Sequence, residues 1–316
     1  MEIIRFTKEH IEEAIEIAKS NYEEERRIVT DLPAIESLPD LTYFAENGLG
    51  VAAFEKGKMA GFLCCYEPWQ GAFDLYDGLG TFSPLHAHGA VKENRVDIYQ
   101  RMYEKAGAIW AERKILTHGI ALYAHDKEGI EAFFEYGFGK RCVDQIRTTG
   151  KIGGTRNSDL VFEELKLEEF PTIRDLRRAL NNHLKQSPCF MQSTPEDFEG
   201  WLARVEKGNR RTFVARKQGE VIAYLDVAGE GENFITYRND MMNLQGAYCR
   251  PEYRGQDISK NLLDYVSSVL NEEGYALLGV DHESFNPTAN RFWKKYFTAY
   301  TNSLVRRLEL WTDSTL

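Results

Sequence analysis

A chain of 316 residues with 43% apolar and 28% charged side chains has the composition and size of a soluble globular protein with room for two ordinary domains. Its net charge of −10 disfavours a nucleic-acid partner, which needs a basic face for the phosphates, and no apolar run is long enough to span a bilayer. Five cysteines, an odd number without C-x-x-C spacing, argue against a disulfide framework and against a zinc site, so no metal is expected. The N-terminal MEIIRFTKEHIEEAIEIA is acidic throughout and has no apolar signal core, which predicts no export signal and a cytoplasmic protein.

In chain order, Ile3 to Phe6 reads as a strand, and Thr7 caps a helix to about Asn21 with Ile11, Ala14, Ile15 and Ala18 on one face. Pro33 and Pro39 then rule out a long helix in the next segment. Leu49–Phe54 and Met59–Tyr66 predict a hairpin, with Gly57 at the turn position that needs a positive φ. Gly80 to Leu85 reads as a strand leading into His86-Ala87-His88-Gly89-Ala90-Val91. A helix from about Asn94 carries the stripe Ile98, Tyr99, Met102, Tyr103, Ala106, Ile109 and Trp110. Ile120 to Ala124 is a strand, and Glu128 to Tyr136 a helix stopped by Gly137.

Residues 148–159, TTGKIGGTRNSD, lack apolar periodicity and mark a domain boundary, giving domains 1–150 and 158–316. The same grammar then restarts. Leu160–Leu167 is a strand and Pro171–Asn181 a helix, and Thr194-Pro195 opens a second helix. Thr212–Arg216 and Val221–Val227 form a hairpin around Gln218-Gly219. Gln245–Cys249 is a strand, Arg250–Gly255 a turn, and from Ile258 the apolar residues Leu262, Val266 and Val269 recur at helical spacing. Tyr275–Val280 is a strand, Asn286–Tyr296 a helix, and Ala299–Leu310 the closing strand.

A turn ending at a helix N-terminus aims several backbone N–H groups, with the helix dipole behind them, at one spot suited to phosphate. Here Pro251-Glu252-Tyr253-Arg254-Gly255 resembles the lead-in to the acetyl-coenzyme A loop of the GNAT acetyltransferase superfamily, Gln/Arg-x-x-Gly-x-Gly/Ala. Arg254 takes its first position; Asp257 and Ser259 stand at the fourth and sixth. Asp126–Phe138 is similar to the family's N-x-x-A-x-x-x-Y-E-K-x-G-F helix, and Asn286 and Ala289 sit where that pattern has Asn and Ala. The order of elements resembles the GNAT order twice. The resemblance implies an α/β fold of two tandem GNAT domains, each a mixed, mostly antiparallel sheet flanked by helices with a splayed central strand pair.

What it implies for function is acetyl transfer from acetyl-CoA to an amine by direct attack, without an acyl-enzyme, so that Cys249 is a core residue and not a nucleophile. Strand Gln245–Cys249, with Tyr248 and Cys249, would hold the pantetheine. Arg254, Gly255, Gln256, Asp257, Ile258, Ser259 and Lys260 would hold the pyrophosphate, with Asn286 and Trp293 on the helix beside them. Asp257 either turns outward as a cap and leaves the amides free, or marks weakened coenzyme binding. In the first half the equivalent loop would be His86–Val91, with His86 in the Gln/Arg position. The family's tyrosine acid aligns with Trp293 and Phe133, neither of which can donate a proton; Tyr296, one turn on, is the fallback. For the base, Asp281 and Glu283 share one strand face, and Glu283, acting through a water, is the choice over Asp226. The second half, net −2 against −8 for residues 1–150, is the less repulsive host for a polyanionic coenzyme. The overall negative charge favours a cationic small-molecule or peptide amine as acceptor. The first half would shape the acceptor site or form a homodimer, and the alternative to an enzyme is a module whose coenzyme sites have decayed.

Overall fold

The computed structural model describes residues 1–74, 78–154, 159–191, 197–207 and 210–309. The first elements are β1 (Glu2–Arg5), α1 (Ile11–Arg26), α2 (Thr42–Glu46), β2 (Val51–Glu55), β3 (Lys58–Leu63), β4 (Trp69–Gln70), β5 (Leu79–Ser83), β6 (His88–Ala90), α3 (Arg95–Glu112), β7 (Ile115–Tyr123), α4 (Lys127–Glu135) and β8 (Gly139–Thr148). They are followed by β9 (Leu160–Glu164), α5 (Arg174–Lys185), α6 (Asp197–Glu206), β10 (Arg211–Lys217), β11 (Glu220–Ala228), β12 (Met241–Cys249), α7 (Ile258–Glu272), β13 (Leu277–Glu283), α8 (Pro287–Trp293) and β14 (Thr298–Arg307). Thr194-Pro195, read as a helix start, lies outside the described residues, as does Leu310. No described helix is long and apolar enough to cross a membrane.

The chain divides into two compact units, Met1–Val143 with Ala299–Leu316, and Asp144–Thr298. In the first unit β1, β2, β3 and β6 form one antiparallel run, and β4, β5, β7 and β14 a second, mixed run. The stretch from Leu79 to Ala90 changes partner midway: β5 runs parallel to β7, and β6 runs antiparallel to β3. Helix α3 covers this arrangement with Ile98, Tyr99, Met102, Tyr103, Ala106 and Trp110, all buried. The two hairpins share one turn: Lys56 (φ 51°) with Gly57 (φ 78°), and Gln218 (φ 51°) with Gly219 (φ 83°). Two successive positive-φ residues give a turn whose twist matches that of the strands it joins.

The second unit has strands in the order β13, β12, β11, β10, β9, with the part of β8 from Asp144 onward beside β13. Strands β12 and β13 run parallel. Helix α7 packs Ile258, Leu262, Leu263, Val266 and Leu270 against Leu225, Val227, Leu244 and Leu278. Each such fully buried side chain is worth about 1.5–3 kcal/mol over its exposed state. On the opposite sheet face, α5 and α6 bury Leu176 and Trp201 against Val214 and Tyr224.

The structure departs from the sequence reading at three places. Strand β14, read as closing the second half, pairs antiparallel with β7 of the first unit, Thr301 opposite Tyr123. The segment read as a linker is tied into the second unit from Thr149 on: Thr149 N–H donates to the Ala276 carbonyl, and Asp264 accepts from Gly153 N–H at 3.1 Å. His86–Val91, read as a phosphate-type loop, is mostly buried strand, because β6 pairs with β3 through Leu63 opposite His88 and Gly61 opposite Ala90.

Candidate active site

The parallel pairing of β12 with β13 runs from Met241 opposite Leu277 to Leu244 opposite Val280 and stops there. Gln245 is a bulge: Val227 faces Leu244, while the neighbouring Asp226 faces Gly246. A bulge bends and twists the strand that carries it. Beyond it β12 stays with β11 as far as Cys249, and β13 departs. Arg250 N–H donates to Ile222 on β11. Alternation then turns the N–H and C=O groups of Cys249 and Ala247 the other way, into the gap. Cys249 C=O accepts from Arg254 Nε at 3.0 Å. The Ala247 edge faces no strand among the described residues.

This edge opens onto a cavity of about 310 Å³ that ends at the start of α7. Of the residues singled out in the sequence, Tyr248, Cys249, Arg254, Gly255, Asp257, Ile258, Ser259, Lys260, Asn286, Trp293 and Tyr296 line it. Gln256, Glu283, Asp281 and Asp226 do not; Gln256 instead binds the Glu252 carbonyl on the exposed face of the turn. Leu180 and His183, Tyr224, and Phe292 also line the cavity and were missed. The i, i+3 spacing of Leu180 and His183 on α5 places them on one helix face, but their destination depends on long-range packing.

Asp257 precedes α7 in the left-handed region (φ 57°), and its carboxylate makes no capping bond. Left-handed backbone favours glycine, with Asn and Asp the usual exceptions. The guanidinium of Arg254 lies over the Tyr248 ring at 5.2 Å. Asn286 accepts from the Thr288 and Ala289 N–H groups, both at 3.2 Å, and so caps α8. The Cys249 thiol is buried, and burial raises its pKa, which disfavours a thiolate. Burial also raises the Tyr296 pKa, with the Asp257 charge adding to it.

Asn243, Gly279 and Asp281 share the sheet face toward α5 and α6. A Cβ on Gly279 would fall 2.3 Å from Asn243 Oδ1, and Asp281 is two residues further along β13. Asp281 is the first residue past the last β12–β13 pair. Its pKa is raised well above the usual carboxylate range by burial and by the charges of Glu232, Asp144 and Glu283.

The corresponding region of the first unit is filled by its own side chains. The Asn21 carboxamide donates to the Ala90 carbonyl at 3.0 Å and accepts from the Ala90 N–H at 3.1 Å, occupying the edge of β6. His88 bridges from β6 to the Ala121 carbonyl on β7, its other ring nitrogen meeting Tyr99 Oη at 3.0 Å. Burial lowers the pKa of both His86 and His88 to about 4. Helix α3 begins after Asn94, also at φ 57°, and its first residue, Arg95, is buried against Glu24 (2.9 Å) and Asp126 (3.3 Å). The helix-entry turn here is therefore Val91–Asn94, which overlaps the loop of the sequence reading, His86–Val91, only at Val91.

The profile described as "Acetyltransferase (GNAT) family" matches residues 173–298, which hold the wedge and the cavity. No curated protein matches the chain. Among solved structures, a GCN5-related N-acetyltransferase from Sphaerobacter thermophilus is 11% identical, with a TM-score of 0.58 over 98% of this chain and 97% of its own. A GCN5-related glucosamine N-acetyltransferase region of a fungal multi-domain GH3 β-N-acetylglucosaminidase is 12% identical, with a TM-score of 0.52 over 96% of this chain and 38% of that one. A tandem GNAT protein from the clavulanic acid biosynthesis pathway is 11% identical, with a TM-score of 0.49 over 98% of this chain and 99% of its own. Residues 173–298 thus match the GNAT acetyltransferase family, and along nearly its whole length the chain has the fold of a GCN5-related N-acetyltransferase.

Proposed function

We propose that the second unit transfers an acetyl group from acetyl-CoA to an amine, and that the first unit has no coenzyme site. The observation that carries this reading is the bare strand edge at Ala247, opening onto a cavity that ends at a helix N-terminus. A pantetheine amide can complete that edge as a strand would. The N–H groups at the start of α7, with Arg254 and Lys260, suit the pyrophosphate.

In the reaction the neutral amine attacks the thioester carbonyl, the C–N bond forms, and the C–S bond then breaks. Asp281, with Glu283 on the same face, accepts the proton that the amine must lose; a raised carboxyl pKa makes a better proton acceptor near neutral pH. Tyr296, held protonated by burial, supplies a proton to the departing thiolate. Cys249 takes no covalent part.

Asp257 favours a second reading, a non-catalytic acyl-CoA-binding module, because its carboxylate opposes a phosphate at the same spot. Calorimetric titration of CoA into the full chain, with mass-spectrometric detection of acetylated amine, decides. One saturable site per chain with product formed is expected. Binding without product with any amine would favour the second reading. No saturable binding would remove both.

A further inference from the structure

On the sheet face beside the wedge a buried carboxylate, Asp226, lies near two guanidinium groups. Asp226 on β11 is fully buried and accepts from Thr212 Oγ1 at 2.6 Å, Trp201 Nε1 at 2.9 Å and Arg177 Nη1 at 3.2 Å. Arg177 lies over the Trp201 ring at 5.4 Å and reaches Tyr224 Oη at 3.4 Å. It also lies against the bulge, for a Cβ on Gly246 would fall 2.8 Å from its Nη1. A second guanidinium, Arg210, meets the bulge residue itself, Nη2 to Gln245 Oε1 at 3.4 Å. Its Nη1 is buried and finds no acceptor among the described residues.

The charges are Asp226 against Arg177 and Arg210, with the exposed Glu230 and Arg204 offsetting each other nearby. Among the described residues, the half-buried Arg210 bonds no carboxylate. Burial lowers its pKa, the mark of a cation short of a partner. Such a group calls for an anion, and its planar fork matches a carboxylate. Tyr224, which touches Arg177, and Leu180, one turn along α5 from it, both line the cavity.

We infer that Arg210 and Arg177 form a subsite for a carboxylate carried by the substrate, placed against the bulge where the acyl group is transferred. This rests on the acetyltransferase reading above and narrows its substrates to amino-acid-like amines or to acyl donors ending in a carboxylate. It runs opposite to the preference for cationic amines that the whole-chain charge suggested.

The test uses the full chain and matched pairs: amino acids or peptides with a free carboxylate against their amides, each with acetyl-CoA. A second arm pairs a neutral amine with succinyl-CoA or acetyl-CoA. The carboxylate member of a pair should be used at least tenfold better in kcat/KM. Arg210→Gln should raise KM for that member about tenfold to a hundredfold, and Arg210→Lys should restore part of the loss. Preference in the first arm places the carboxylate on the acceptor, and preference in the second places it on the acyl group. Equal use of acid and amide, or equal effects of Arg210→Gln on both, overturns the inference. No transfer with any pair overturns it as well; a parallel CoA titration then shows whether the coenzyme site fails too.

Discussion

Asp257 sits where two demands conflict. Its left-handed backbone costs a non-glycine residue about 1–2 kcal/mol, and its carboxylate lines the cavity in which a pyrophosphate would lie. Asp257→Gly removes both, so CoA affinity should rise about tenfold by calorimetry; a drop in kcat alongside would assign the carboxylate a part in the reaction. Asp281 makes an opposite kind of prediction. A carboxyl whose folded pKa is raised adds stability at low pH, and that stability is lost as pH rises through the folded value. Asp281→Asn should therefore raise Tm at neutral pH and leave it nearly unchanged near pH 4. If Asp281 takes the amine proton, wild-type kcat/KM falls on acidification at a pH above the ordinary carboxylate range, and the Asn variant loses kcat. Cys249→Ala should keep most of its activity, since the buried thiol is not asked to ionise.

At the scale of elements, the two units treat the same strand edge differently. In the first, one carboxamide, Asn21, satisfies both backbone groups of Ala90. Asn21→Ala should cost about 1–3 kcal/mol in thermal or denaturant unfolding, because it leaves two buried polar groups unmet, and should open no CoA site while His88 still bridges β6 to β7. The sequence showed elements whose signals are local: the Gly57 and Gly219 turns, the stripe of α7, the Pro251–Gly255 lead-in. It hid the nature of His86–Val91, whose small residues suit a tight loop and a crowded strand equally; the helix start near Asn94 was legible, but the loop was placed before it rather than at it. The bulge at Gln245 and the arginines around it were also hidden, since Arg177, Arg210 and Gln245 meet only through packing of distant segments.

For the molecule as a whole, the repeated order of elements was legible because periodicity and turn residues repeat, but the ownership of the last strand was not. β14 alternates in the same way whether it closes the second unit or the first. In the structure it pairs with β7 over seven residues, Thr301–Arg307 opposite Tyr123–Thr117. A chain ending at Thr298 should therefore lower the unfolding temperature of the first unit, followed through Trp110 fluorescence, while the second unit still binds CoA.

That pairing also sets a timetable. During translation residues 1–143 emerge before residues 144–298, yet the strand that completes them, β14, emerges only after both. Until β14 leaves the exit tunnel, the flank of β7 has no native neighbour, and an earlier-made body must wait, unfinished, for a later-made strand.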